Sequence, residues 1–276
     1  MSIPLQEPLP DIYQHQPLAA LRRLLADLNR LEQRYRYLLL LDEYELLDDR
    51  LLATTAEDFV TTLRGCTQQY PWLAVALVGL HALQERSASY YQPIYTWRPL
   101  KVGLMNADAV ADMLQVEDDS FPLEYSLEAV ARVHDLTGGQ PFLVQLLGDS
   151  LVQRFNRHLR QQLDPPSPVF AAQDVDAVVA DENFYQQGDA YFRGIWAQAG
   201  ETPGGQHAVL QTLAPYAEGL AQSTLQQASG LDVDAFAAAL DALSRHDVVA
   251  CRDGICRYYV ELMRRWVAAG VFKKDQ

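Results

Sequence analysis

The sequence predicts an α/β layer that is followed by a helical region and a small C-terminal domain. Two short apolar runs, residues 37–41 and 73–79, flank a segment with helical signals. This alternation of strand, helix and strand is typical of an α/β layer. From residue 106 onward the signals are helical, and near the C-terminus two strand-forming runs flank Asp253 and Gly254, a pair that favours a hairpin turn.

The α/β layer begins with a helix over residues 17–33, because its leucines recur at spacings of three and four. The apolar run 37–41 predicts a parallel strand that is covered on both faces. Leucine is not β-branched, so a buried helix is the alternative for this run. A second helix over residues 55–69 ends before Pro71, and residues 100–104 are a candidate third strand.

The helical region carries recognisable start and stop signals. After a first helix over residues 107–116, Ser126 is suited to cap a second helix that ends at the glycine pair 138–139. Pro141 fits the first turn of a third helix. The proline-rich residues 164–168 indicate a boundary.

Residues 206–276 have the order of a winged-helix domain, with three helices, a hairpin and a final helix. The third helix, over residues 233–246, is acidic and rich in alanine, so it lacks the side chains that read DNA bases. We therefore predict a first domain over residues 1–105, a helical lid over 106–163, a linker over 164–205 and a winged helix over 206–276.

The composition argues against two classes of partner. The chain of 276 residues has a formal net charge of −14, whereas binding to nucleic acid phosphates or anionic membranes requires a basic face. The longest near-apolar stretch, residues 73–83, is too short to cross a bilayer. We expect a cytoplasmic protein that binds neither membranes nor nucleic acid. The basic cluster of the predicted winged helix consists of Arg252, Arg257, Arg264 and Arg265 and is expected on a solvated face.

The chain has three cysteines, Cys66, Cys251 and Cys256. A two-residue turn at Asp253 and Gly254 would bring Cys251 and Cys256 directly opposite each other, so a cross-strand disulfide is geometrically conceivable. Because thiols are kept reduced in the cytosol, the expectation is two reduced thiols.

Two carboxylates, Asp42 and Glu43, follow the leucine-rich run 37–41 directly. Ligands of an α/β sheet bind at the carboxyl ends of its strands. In nucleotide hydrolases an acid at this position holds Mg²⁺, and its neighbour can polarise the attacking water. The alternative is a chain that leaves the sheet through acidic residues, since residues 41–50 are acidic throughout.

Four segments occur in the order found in the STAND branch of AAA-related ATPases, which resemble NACHT and NB-ARC proteins in layout. They are YLLLLDEYE (residues 37–45), similar to a Walker B strand, AVALVGLHAL (74–83), similar to a sensor-1 strand, LTGGQPFLV (136–144), similar to a lid motif, and YYVELMRRW (258–266), which ends the winged helix. The resemblance covers most of the chain. It implies a partial P-loop NTPase sheet followed by a helical lid and a winged helix.

The resemblance also implies roles for individual residues. Asp42 would be the Mg²⁺-site acid and Glu43 the catalytic base, while His81 lies near the sensor-1 position. Gly139 and Pro141 match a Gly-x-Pro element whose proline packs near adenine. A structural histidine is the alternative for His81, and a glycine C-cap followed by a proline at the first helical position is the alternative for the Gly-x-Pro pair.

The phosphate-binding loop of these ATPases is missing from the sequence. That loop needs a glycine-rich stretch ending in Gly-Lys-Ser/Thr, but none of the three lysines, Lys101, Lys273 and Lys274, follows a glycine. We therefore expect a C-terminal fragment of a signalling ATPase that acts in regulation or oligomerisation. ATP and Mg²⁺ are implied only by the resemblance and are not expected to bind to this chain alone.

A missing P-loop strand would leave an incomplete sheet, so we expect a protein partner or an upstream P-loop segment, or assembly as a homo-oligomer. Two alternatives are an active ATPase completed in trans by a P-loop chain and a non-enzymatic winged-helix regulator.

Overall fold

The computed structural model describes residues 16–30, 35–44, 53–79, 97–115, 121–161, 167–201 and 203–271. The chain splits into two compact units, Met1–Leu100 and Lys101–Gln276.

The first unit contains a parallel pair of strands and two helices. Helix α1 (Pro17–Arg30) precedes strand β1 (Tyr37–Leu41), and helix α2 (Ala53–Gln69) precedes strand β2 (Leu73–Leu77). β1 and β2 pair in parallel, with Tyr37 opposite Leu73 and Leu41 opposite Leu77. The predicted strands are thus confirmed, and the buried-helix alternative for residues 37–41 is wrong.

One face of this sheet packs against the helices. The buried cluster consists of Leu25 from α1, Cys66 from α2, Leu73 from β2, and Tyr70 and Trp72 from the turn between α2 and β2. Tyr37, Leu39 and Val75 of the two strands pack against it. The indole N–H of Trp72 donates to Asn29 Oδ1 over 2.8 Å, and the Arg22 guanidinium donates to Thr62 Oγ1 over 3.0 Å. These bonds link α1 to α2 and to the start of β2.

The other face of β1 lies in water. Leu38 is 61% exposed and Leu40 is 63% exposed, because alternate side chains of a strand point to opposite faces. The prediction that β1 is covered on both faces is therefore wrong. Leaving a leucine in water forgoes about 1.5–3 kcal/mol of burial free energy.

The candidate third strand at residues 100–104 is also wrong. These residues form neither helix nor strand. Leu100 and Val102 are 78% and 95% exposed, so the apolar side chains that suggested a strand are in solvent instead of in a sheet.

The second unit is mainly helical. Its helices are α3 Ala107–Leu114, α4 Leu127–Thr137, α5 Pro141–Arg160, α6 Ala172–Val179, α7 Glu182–Gln187, α8 Asp189–Gln198, α9 Gln206–Leu213, α10 Gln222–Ser229, α11 Val233–Arg245 and α12 Glu261–Ala268. Its strands are β3 Glu124–Tyr125, β4 Val169–Phe170, β5 Leu220–Ala221, β6 Val249–Arg252 and β7 Ile255–Tyr258.

Side-chain caps define where several of these helices begin. Asn106, Ser126 and Asp232 each precede a helix, and each side chain accepts a hydrogen bond from the backbone N–H three residues later. Such caps satisfy an amide that has no partner within the helix. The predicted cap at Ser126 is confirmed.

A single apolar core runs through the second unit from Val110 to Val267. Residues 164–205, predicted as a linker, contain β4 and helices α6, α7 and α8. Their aromatic side chains enter the core, where Phe192 stacks on Trp266 of α12 with ring centroids 6.0 Å apart. The predicted linker therefore belongs to the same packed body as the segments on either side of it.

The C-terminal helix α12 is held in place by Arg264. Its guanidinium donates to both carboxylate oxygens of Glu261 over 2.7 Å and to the Ala214 carbonyl over 2.6 Å. Burial alone would raise the pKa of Glu261, but hydrogen bonds from Arg264 and Arg265, with their charges, lower it. Arg264 is thus an internal structural group, and its predicted position on a solvated face is wrong.

The predicted hairpin is confirmed, and it belongs to a three-stranded sheet in the order β5-β7-β6. Cys251 lies opposite Cys256, and the two form a disulfide. The expectation of two reduced thiols is therefore wrong. Cys66 is free and buried in the first unit.

The disulfide predicts the thiol content of the protein. Denatured without reductant, the chain should react with one equivalent of a thiol reagent, because only Cys66 is free. After reduction the number should rise to three. Three thiols before reduction would contradict the disulfide.

Candidate functional site

The acidic pair lies at the carboxyl end of β1. Beyond the strands, Val78 N–H donates to the Leu41 carbonyl over 2.8 Å, and Tyr44 N–H donates to the Val78 carbonyl over 3.1 Å. The Tyr44 side chain is buried. The backbone on both sides of Asp42 and Glu43 is therefore tied to the sheet, while both acidic residues are exposed.

The backbone at this point adopts an unusual conformation. Glu43 has a φ of 52°, in the left-handed region that non-glycine residues seldom occupy. Its N–H donates to Asp42 Oδ1 over 3.0 Å. Non-glycine residues in this region cost about 1–2 kcal/mol and are concentrated at functional sites. Asp42 and Glu43 are thus presented to solvent by a turn that the sequence does not favour locally.

The chemistry of the two carboxylates suits a hard cation such as Mg²⁺. Mg²⁺ is commonly bound by one or two carboxylates, with water and substrate phosphates as its other ligands. Within the described residues no group of three or more metal-ligating side chains is present. Asp42 and Glu43 would therefore supply only part of a coordination shell.

The Gly-x-Pro element lies in the second unit and joins two helices. Gly138 ends α4 with a φ of 58°, and its N–H donates to the His134 carbonyl over 2.8 Å. Gly139 has a φ of 75°, and its carbonyl accepts a hydrogen bond from Met105 N–H over 2.9 Å. Pro141 then occupies the first turn of α5, which Gln140 caps.

Both glycines are required by close backbone contacts. A Cβ atom on Gly139 would collide with the backbone of Met105, and one on Gly138 would collide with the Tyr259 carbonyl. The structural alternative therefore accounts for Gly139 and Pro141 without a ligand. Contact of Pro141 with adenine stays a prediction.

The predicted site residues fall into separate groups. Asp42 and Glu43 belong to the first unit, and Gly139 and Pro141 belong to the second. His81 lies outside the described residues. Within the first unit, the structure brings Asp42 and Glu43 together with the carboxyl end of β2.

A polar cleft in the second unit was not predicted from the sequence. It lies between α5 and the corner that joins α6 to α7, and its volume is about 350 Å³ including its open mouth. Ser150, Arg154 and Arg157 line it from α5, and Asp181 and Asn183 line it from the corner. Ser150, Arg154 and Arg157 are spaced by four and three residues, and this helical spacing could have indicated from the sequence that they share one face of α5.

No protein-family model, curated protein or solved structure matches this chain. Among the described residues, no helix combines the length and apolar character needed to cross a membrane.

The glycine contacts predict a large difference between two substitutions. Gly139→Ala should lower the free energy of unfolding by at least about 2 kcal/mol, because it adds left-handed strain and a clash with the Met105 backbone. Gly194→Ala, in the open middle of α8, should leave it unchanged or raise it by up to about 1 kcal/mol. Urea unfolding of both variants measures this. Equal free energies of unfolding in Gly139→Ala and Gly194→Ala would contradict the close contact between Gly139 and the Met105 backbone.

Proposed function

We propose that this chain is the C-terminal portion of a STAND-type signalling ATPase, comprising a Walker B strand, a helical lid and a winged helix. In this proposal it acts in regulation or oligomerisation and neither binds nor hydrolyses ATP alone. The observation that carries the proposal is the parallel pair β1 and β2, with Asp42 and Glu43 at its carboxyl end. Ligands of α/β sheets bind at this end.

The two carboxylates have the chemistry that the proposed site requires. Asp42 would hold Mg²⁺, and Glu43 would accept a proton from the water that attacks the terminal phosphate. The bond from Glu43 N–H to Asp42 Oδ1 restricts the Asp42 side chain. The turn that contains both residues is anchored through Tyr44 and Val78, so the carboxylates are presented from a fixed backbone.

The uncovered face of β1 supports completion by another segment. Parallel sheets are normally covered on both faces, yet Leu38 and Leu40 are mostly exposed. The sequence also has no phosphate-binding loop. A partner protein or upstream segment that carries a P-loop strand and its following helix would extend the sheet at its edge, cover the apolar face with the helix and supply the missing phosphate contacts.

The C-terminal part supports the winged-helix assignment. Helices α9, α10 and α11 precede the hairpin, and β5 adds a third strand to it. The first turn of α11 is acidic, and its Asp241 pairs with Arg245 over 3.0 Å. These charges disfavour DNA phosphates, so protein contact is the better role for this helix.

The proposal implies a cytoplasmic location. Disulfides are rare in the cytoplasm, so the bond between Cys251 and Cys256 disfavours a cytoplasmic location.

Two titrations of the chain test the proposal. Calorimetry with Mg-ATP should detect no micromolar binding and no binding that Asp42→Asn weakens, because the sequence has no phosphate-binding loop to act beside the two carboxylates. Paramagnetic Mn²⁺, which broadens nearby signals even when two carboxylates hold it only weakly and transiently, should broaden the amide signals of Leu41 and Tyr44, beside the two carboxylates.

Asp42→Asn is the test variant, and Asp27→Asn is its matched control. The first should remove the broadening, and the second should not, because Asp27 pairs with Arg30 on the surface of α1. Micromolar affinity for Mg-ATP that Asp42→Asn abolishes would overturn the claim that the chain is incomplete. Broadening that survives Asp42→Asn would overturn the metal role.

A further inference from the structure

The cleft between α5 and the α6–α7 corner concentrates positive charge in an acidic protein. Arg154 and Arg157 lie three residues apart on α5 and both line the cleft. Elsewhere in the second unit, Arg132 pairs with Asp176, Arg193 with Asp189 and Arg264 with Glu261. Among the described residues, no carboxylate forms an ion pair with Arg154 or Arg157. Both guanidinium groups are therefore available to an anion.

The carboxylates around the cleft are engaged by other groups. Asp181 caps α7, and its Oδ1 accepts the backbone N–H of Asn183 over 3.0 Å. Asp149, next to Ser150, accepts a hydrogen bond from the Gln153 amide over 2.6 Å. These bonds restrain both acids, so neither neutralises the arginines by direct contact.

A buried hydroxyl adds a second, independent observation. Ser150 Oγ has almost no contact with solvent and no hydrogen-bond partner among the described residues. Buried polar atoms are nearly always paired, so one without a partner at the wall of a cleft points to a missing acceptor. Ser150 lies four residues before Arg154, which places both on the same side of α5.

We propose that this cleft binds the phosphate group of a small molecule. The Arg154 and Arg157 guanidinium groups donate charge-assisted hydrogen bonds to the phosphate oxygens, and the Ser150 hydroxyl donates a further bond. The Asn183 side chain, at the opposite wall, supplies an amide donor. Without its open mouth the cleft holds only about 30 Å³, so it fits inorganic phosphate or the phosphate end of a metabolite whose remainder stays outside the cleft.

The residues of this site all lie in the second unit, and none of them is Asp42 or Glu43. The site also provides for phosphate contact without a glycine-rich loop. The donors come from the middle and second half of a long helix and from the corner that packs against it.

Calorimetry and thermal unfolding with three probes at matched ionic strength test the proposal. Inorganic phosphate should bind saturably with a Kd of about 1 mM or tighter and raise the unfolding temperature. AMP, which carries the same group on a nucleoside, should bind more tightly than phosphate if the ligand is a phosphorylated metabolite and equally if it is free phosphate. Acetate should bind more weakly, because it offers fewer acceptor oxygens.

Substitutions in the cleft identify the donors. Arg154→Gln and Arg157→Gln should each weaken phosphate binding about tenfold, and Ser150→Ala should weaken it several-fold. Arg160→Gln is the matched control, because Arg160 is exposed at the end of the same helix and does not line the cleft. Circular dichroism verifies that each variant is folded.

Two results would overturn the proposal. One is the absence of saturable phosphate binding up to about 10 mM in the unsubstituted protein. The other is an equal affinity in Arg154→Gln, Arg157→Gln and Arg160→Gln, which would show that phosphate responds only to the overall charge.

Discussion

The parallel pairing of β1 with β2 determines both the position of the acidic pair and the exposure of one apolar face of β1. The register from Tyr37–Leu73 to Leu41–Leu77 brings the two carboxyl ends together, where Asp42 and Glu43 follow β1. The same register turns Tyr37 and Leu39 toward the helices and therefore turns Leu38 and Leu40 into water. A site and an uncovered apolar face thus have one common cause.

The second unit depends in a similar way on close backbone contact at Gly138 and Gly139. These residues end α4 and begin the turn into α5, and they leave room for the Tyr259 carbonyl and the Met105 backbone. Three stretches that are distant in the sequence therefore meet at one turn. The continuous core from Val110 to Val267 includes Phe170, Phe184 and Phe192, so the described part of residues 164–205 is packed into it instead of linking two bodies.

Local patterns predicted much of this structure, whereas long-range packing was beyond them. The apolar runs indicated β1 and β2, and cap and turn signals indicated Ser126, Pro141 and the hairpin. Residues 100–104 were predicted as a strand because apolar content alone does not show whether a partner strand exists. The role of Arg264 depends on Ala214, fifty residues away. The cleft lined by Arg154 depends on how the corner between α6 and α7 packs on α5, and helical spacing within α5 does not show that packing.

Among the described residues, β1 pairs with β2 alone, and amide hydrogen exchange of β1 in the isolated chain tests whether its outer edge is unpaired. Tyr37 N–H donates to the Trp72 carbonyl, so alternation along a parallel ladder directs the amides of Leu39 and Leu41 toward β2 and those of Leu38 and Leu40 away from it. We expect slow exchange at Leu39 and Leu41 and fast exchange at Leu38 and Leu40. Equal protection of all four amides would contradict this expectation, because the outer edge of β1 would then already be paired.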